Sequence, residues 1–178
     1  CIEFEENSKL LKMNDIFTPE LTEIISFPSN IQEFDEEWCF CFENLTKIKM
    51  SKSTLNGSYI YIEDKYLLGK TDINSDNYDI LIFARRDIEE AIIPSNIKII
   101  SSAAFVCCRK LRRVIFQNNS QLHTIKDHAF YKSSIESIII PSSVSTIEEC
   151  CFYDCHNLKC IEFEENSELN ALTDYCLS

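Results

Sequence analysis

The chain has 178 residues, 45% of them hydrophobic and 26% charged, and carries a formal net charge of −12 at pH 7. That size suits one folded unit, and no run reaches the roughly 20 apolar residues that a membrane-spanning helix needs. The acidity argues against nucleic acid as a partner, because binding a phosphate backbone draws on Lys and Arg; two glycines and four prolines are also too few for a disordered or linker-rich chain.

The sequence opens at Cys1 with no charged and then apolar leader, so any signal peptide is either removed or absent at this end. Residues 1–10, CIEFEENSKL, return at 160–169 as CIEFEENSEL, with Glu168 in place of Lys9. Such self-similarity takes precedence over every other pattern. Residues 27–50, FPSNIQEFDEEWCFCFENLTKIKM, keep Ile31, Phe34, Leu45, Ile48 and Met50 in the phase of later copies, with Cys39 and Phe42 exchanging the thiol and aromatic positions. Residues 51–92 break the phase, since the distance from Met50 to Ile93 falls short of two repeats by three positions. Tyr59–Ile62, Tyr66–Leu68 and Ile80–Phe83 read there as a hairpin and a return strand.

From Ile93 the repeat is regular. The stretch from Ile93 to Phe116 matches that from Ile140 to Phe163 anchor for anchor at a shift of 47, with a third copy between them, so that one repeat occupies half of that shift. Ile135, Ile138 and Ile140 describe a short β-branched strand, one per repeat, that suits a stacked parallel sheet. Pro94 and Pro141 end such strands. Val144 and Ile147, three apart, predict a loose helical or 3₁₀ turn on the opposite side. A Phe at the fifth position after each such Ile, at Phe105, Phe130 and Phe152, predicts an aromatic spine.

The anchors Ile93-Pro94, Ile97, Ile100, Ala104-Phe105, Cys108, Leu111, Val114 and Phe116 resemble the leucine-rich-repeat family, and in particular its BspA-like branch, known from surface antigens of oral bacteria and of anaerobic protozoan parasites. The resemblance covers 93–169 and 27–50 and extends to the segment before Phe27, where Thr18 stands at the spine position. It implies an α/β repeat solenoid, right-handed, with a parallel β-sheet on the concave face and short helical or 3₁₀ turns on the convex side. Residues 1–50 and 93–178 are then leucine-rich repeats, 51–92 a degenerate β-rich island, and the array is expected to be cut within a repeat at its C-terminal end. The implied role is a cell-surface antigen or adhesin that binds a host or extracellular-matrix protein; the alternative is an intracellular leucine-rich-repeat scaffold in the cytoplasm.

Catalytic motifs are not legible: the sequence has no Gly-rich phosphate loop, zinc-protease helix or nucleophile elbow. His123, His128 and His156 fall on expected turns. Ten cysteines, with Cys150-Cys151, Cys155-His156 and Cys160 close together, read as packed thiols ahead of disulfides, and disulfides ahead of a metal cluster, because Cys108 and Cys155 share one apolar anchor position. Neither a cofactor nor a metal is expected, nor catalysis. The sequons at Asn44, Asn56 and Asn118 are no more than chance provides, and the acidic pairs and triplets read as solvated faces. The outward positions of the concave strands form the expected partner-binding face: Thr46, Lys47 and Lys49; Arg112, Arg113 and Ile115; Glu136, Ser137 and Ile139; Lys159, Cys160 and Glu162. Arg112 and Arg113 beside Ile115 and Ile139 form its expected energetic centre.

Overall fold

The computed structural model describes residues 1–5, 8–13, 21–28, 30–50 and 57–172. The chain is a solenoid of stacked coils with two strand-bearing sides. On the concave side β1 (Ile2–Glu3), β3 (Ile24–Ser26) and β5 (Lys47–Lys49) pair in parallel, as do β9 (Glu90–Ile93), β11 (Arg113–Phe116), β13 (Ser137–Ile140) and β15 (Cys160–Phe163). Each strand alternates by face, as a half-buried strand must. In β13, Ile138 and Ile140 enter the core while Ser137 and Ile139 face out.

The convex side corrects one expectation. Where Val144 and Ile147 predict a helical or 3₁₀ turn, the chain forms β14 (Thr146–Ile147), one strand of a second parallel sheet with β10 (Ile99–Ile100), β12 (Thr124–Ile125) and β16 (Ala171–Leu172). Another two-stranded sheet, β2 (Lys12–Met13) with β4 (Glu33–Phe34), stands at the equivalent place in the N-terminal coils. No described residue is α-helical. The reason is hydrogen-bond supply: every coil faces another in the same conformation, so inter-coil bonds are available that an isolated turn lacks. The turns beyond β10 and β12 stack likewise, with Phe105 N–H donating to Ala129 C=O at 2.7 Å and Phe130 N–H to Cys151 C=O at 2.9 Å. Non-glycine residues at matching places take left-handed backbone angles, with φ of 57° at Ala103, 54° at His128 and 51° at Cys150.

Inside the regular coils the aromatic spine is present. The rings of Phe105 and Phe130 stack at 4.9 Å with planes 8° apart, and those of Phe130 and Phe152 at 5.2 Å and 5°. Cys108 and Cys155 pack in the same core as buried thiols. The N-terminal core is built otherwise. Cys39 takes the spine position and buried Trp38, beside it, turns into the interior against Phe27, Phe34, Phe42 and Phe83. Thr18 lies outside the described residues.

Between the N-terminal and C-terminal parallel strands the chain forms an antiparallel hairpin. Strand β6 (Tyr59–Ile62) pairs antiparallel with β7 (Tyr66–Gly69), and β7 with β8 (Ile80–Ala84), which then joins β10 in parallel. At Gly69 a Cβ would sit 2.6 Å from Ile82 Cδ1, so a larger residue there would make the end of the Ile82 side chain turn aside. On the concave side the sheets on either side of the hairpin stay separate. Buried Arg86 spans this gap. Its N–H donates to Leu45 C=O at 3.0 Å, and its guanidinium donates to the carbonyls of Cys39 and Phe42 on one side and of Ala84, Ala103 and Ala104 on the other, lying over the Phe83 ring.

Candidate partner-binding face

The four-stranded concave sheet presents its outward residues in rows set by strand register. One row runs Glu90, Arg113, Ser137, Cys160; these are register partners in turn. Another holds Ile92, Ile115, Ile139 and Glu162, with Ile92 opposite Ile115 and Ile139 opposite Glu162. The three isoleucines are 49%, 42% and 55% exposed. Just before the strands Glu89, Arg112, Glu136 and Lys159 are tied by backbone bonds of 2.9–3.0 Å.

This last row alternates in charge. Glu136 sits between Arg112, at 3.0 Å, and Lys159, at 3.6 Å, while Arg113 pairs with Glu90 at 2.6 Å. The basic residues of the expected face are therefore charge-compensated. Arg112, Arg113 and Lys159 are nevertheless more than two-thirds exposed, and such surface pairs contribute only about 0–1 kcal/mol, so the cations can exchange partners at little cost. Beside the row a polar groove of about 500 Å³ is lined by Arg109, Lys110, Arg112 and Lys159 against Glu89 and Glu136.

The structure brings Arg112, Arg113, Ile115, Glu136, Ser137, Ile139, Lys159, Cys160 and Glu162 onto this one sheet. Thr46, Lys47 and Lys49 lie apart, on or beside β5 in the other concave sheet, where Lys49 pairs with Glu3 at 3.6 Å and Thr46 donates to Glu23 C=O. Three residues of the face are absent from the sequence-based set: Glu89, Glu90 and Ile92. Counting one repeat back from Arg112, Arg113 and Ile115 lands on them.

Cys160 and Cys1 are exposed thiols, whereas Cys39, Cys107, Cys108 and Cys155 are buried and none of these six is in a disulfide. Burial pushes the Cys108 thiol up to about 12, against a smaller opposing pull from Arg86. Slight desolvation and the neighbouring Glu162 carboxylate raise Cys160. Asn118 is exposed, Asn44 is half-buried, and Asn56 lies outside the described residues. Ser102, Asp127 and His128 meet on the convex side, but the Ser102 hydroxyl bonds Asp127 Oδ1 at 2.5 Å and His128 Nδ1 bonds Asp127 Oδ2 at 3.1 Å. A nucleophile needs the imidazole, not the carboxylate, as its neighbour, so this is not a catalytic triad.

Residues 81–178 match the family model described as BspA type leucine-rich repeat region. The chain belongs to this family. Among solved structures, a leucine-rich repeat protein from Eubacterium ventriosum aligns with 96% of the chain at 24% identity and a TM-score of 0.78, the chain spanning 42% of that protein's length. The pneumococcal vaccine antigen PcpA aligns with 64% of the chain at 28% identity, covering 28% of its own length, with a TM-score of 0.46. A leucine rich cell surface protein from Faecalibacterium prausnitzii aligns with 94% at 19% identity, covering 62% of its own length, also at 0.46. No curated protein matches the chain. BspA type repeats are characteristically non-catalytic, and no helix among the described residues is long and apolar enough to cross a membrane.

Proposed function

We propose that this chain is a protein-binding module of a cell-surface antigen or adhesin, in which residues 1–50 and 93–178 are repeats and 51–92 an interruption between them. The observation that carries the reading is the row Ile92, Ile115 and Ile139, apolar and about half exposed on a sheet whose core the opposite face already fills. Apolar anchors edged by exchangeable charges are the composition of an interface centre with a polar rim. The partner suggested by the family is a host or extracellular-matrix protein, with Arg112 and Arg113 at the rim. An intracellular scaffold is the second reading, favoured by Cys39, Cys108 and Cys155, which fill apolar core positions as packed thiols.

Two measurements test this. Surface labelling of intact cells with a membrane-impermeant reagent should reach the full-length protein; purely internal protein turns the reading to the scaffold. Binding to immobilised matrix proteins should fall at least tenfold in I115D/I139D, and also in R112E/R113E, with the circular dichroism of the fold retained. Each buried isoleucine is worth about 1.5–3 kcal/mol. Equal binding by the folded variants would place the contact elsewhere.

A further inference from the structure

Glu89, Arg112, Glu136 and Lys159, just before the concave strands, lie on successive coils and are tied in turn by backbone bonds of 2.9–3.0 Å; neighbouring parallel strands set about 4.8 Å between one and the next. Their charges run minus, plus, minus, plus, and reversing that order exchanges every sign. A second copy of the same surface supplies the reversed order, because in a two-fold interface residue i meets residue j and j meets i. We propose that this sheet docks face to face on the same sheet of a second copy of the chain, turned about an axis that runs along the strands midway between β11 and β13. The inference rests on the sheet being a contact face, and it adds an occupant that a foreign protein then has to displace.

That axis reverses strand order and keeps strand direction, so each outward row faces itself backwards. Glu89 then meets Lys159 of the second copy and Arg112 meets its Glu136, each pair forming twice. Within one copy Glu136 already lies 3.0 Å from Arg112 and 3.6 Å from Lys159. The docked rows are therefore a checkerboard, opposite in charge along and across, and no ion pair has to break to form it. In the apolar row Ile115 meets Ile139 of the second copy, again twice, and these side chains, 42% and 55% exposed, leave water together. Ile92 and Glu162 meet at the two ends of that row. Arg113, held by Glu90 at 2.6 Å, falls opposite Ser137 and meets no like charge. The axis also keeps the two sheets aligned to within about 30°, one of the two arrangements in which sheets pack face to face. Docking in unreversed order would instead set Glu89 on Glu89 and Arg112 on Arg112.

Size sets the strength. A patch four strands wide, with three outward rows, is smaller than the roughly 800 Å² per partner of a standard interface. The net charge of −12 on each copy adds repulsion beyond the patch, screened over about 8 Å at physiological ionic strength. The dimer is therefore a weak one.

Sedimentation equilibrium of the whole chain tests the proposal. A monomer–dimer equilibrium is expected at chain concentrations of about 0.1–1 mM. R112E and E136R each place like charges across the axis twice, and each should weaken the dimer at least about tenfold with the circular dichroism unchanged. Mixed in equal amounts, the two variants are complementary at all four positions, so the mixture should regain most of the lost affinity as a heterodimer. Local damage to the surface would give no such recovery. A chain that stays monomeric at about 1 mM overturns the proposal. So does a dimer indifferent to both variants, which would use another surface, and so does a mixture that stays monomeric, which would mean that the rows do not meet in this order. Matrix binding is measured on nanomolar chain, where so weak a dimer has dissociated; loss of self-association therefore leaves the foreign partner in place, and loss of matrix binding leaves the dimer.

Discussion

Between Ile93 and Phe163 each coil rests on the next through backbone ladders on both sides, and side chains need only fill the interior. Between β5 and β9 the concave ladder breaks among the described residues, and side chains take over the joining. Arg86 supplies donors to carbonyls of both arrays, Arg109 reaches Glu43 at 2.5 Å, Lys126 pairs with Glu36, and Phe40 stacks on Tyr131 at 5.4 Å. The comparison teaches where specificity sits in a repeat protein. A regular coil can be exchanged for another, because its hydrogen bonds are generic; a junction cannot, because single side chains make its bonds.

Removing a spine ring tests the regular half of that contrast. Phe130 is stacked on both faces and fully buried, so Phe130→Ala is expected to cost about 3–5 kcal/mol in urea unfolding. Because neighbouring coils share the loss through a continuous ladder, hydrogen exchange should speed up across the coils from Ile99 to Phe152 together. A loss confined to one coil would mean that the repeats open independently.

Arg86→Met tests the other half. It keeps much of the packing over Phe83 but leaves the carbonyls of Phe42 and Ala84 short of a donor, and a buried orphan costs about 1–3 kcal/mol. A total of about 3 kcal/mol is expected, with exchange accelerated at the Cys39–Phe42 and Ala103–Ala104 turns and the Phe130 coil still protected. Uniform acceleration instead would show that the two arrays fold as one indivisible ladder.

The same contrast governs what is legible in the sequence. The spine and the concave strands are readable because Phe105, Phe130 and Phe152, or Val114 and Ile138, recur in phase, and the inward row fixes which residues face out. The convex strands are not, since Val144 and Ile147 stand three apart in a turn or in a short bent strand alike, and what decides between them is a partner one whole repeat away along the chain. Trp38 falls on a position that later coils give to Ala104 and Ala129, so nothing in phase announces that it replaces the spine. Arg86 falls one repeat before Arg109, but Arg109 is exposed, so phase gives no sign that Arg86 is buried. The row of Ile92 is hidden for a related reason: its strand, β9, begins inside the stretch whose phase is broken. The compensation of Arg113 by Glu90 is hidden with it.

A smaller effect is expected where the hairpin meets the first regular coil on the convex side. Asp79 is buried and accepts from Thr71 N–H at 2.8 Å, Thr71 Oγ1 at 2.7 Å and Lys98 Nζ at 3.1 Å. Burial opposes its ionisation, but these three donors outweigh it and hold the carboxyl below its ordinary value of 3.8. A group with a depressed folded pKa adds stability that is complete above the unfolded value and is lost as pH falls through the folded one. Asp79→Asn should therefore cost about 1–2 kcal/mol at pH 7, and the gap from the unaltered chain should close only below about pH 4. Replacing Lys98 with Met should give a smaller loss, since its ammonium is 42% exposed and the Thr71 donors remain. A gap that stays constant on full acidification would mean that the shape of the side chain, not its charge, secures this end of the junction, and would leave the charged ties to Arg86, Arg109 and Lys126.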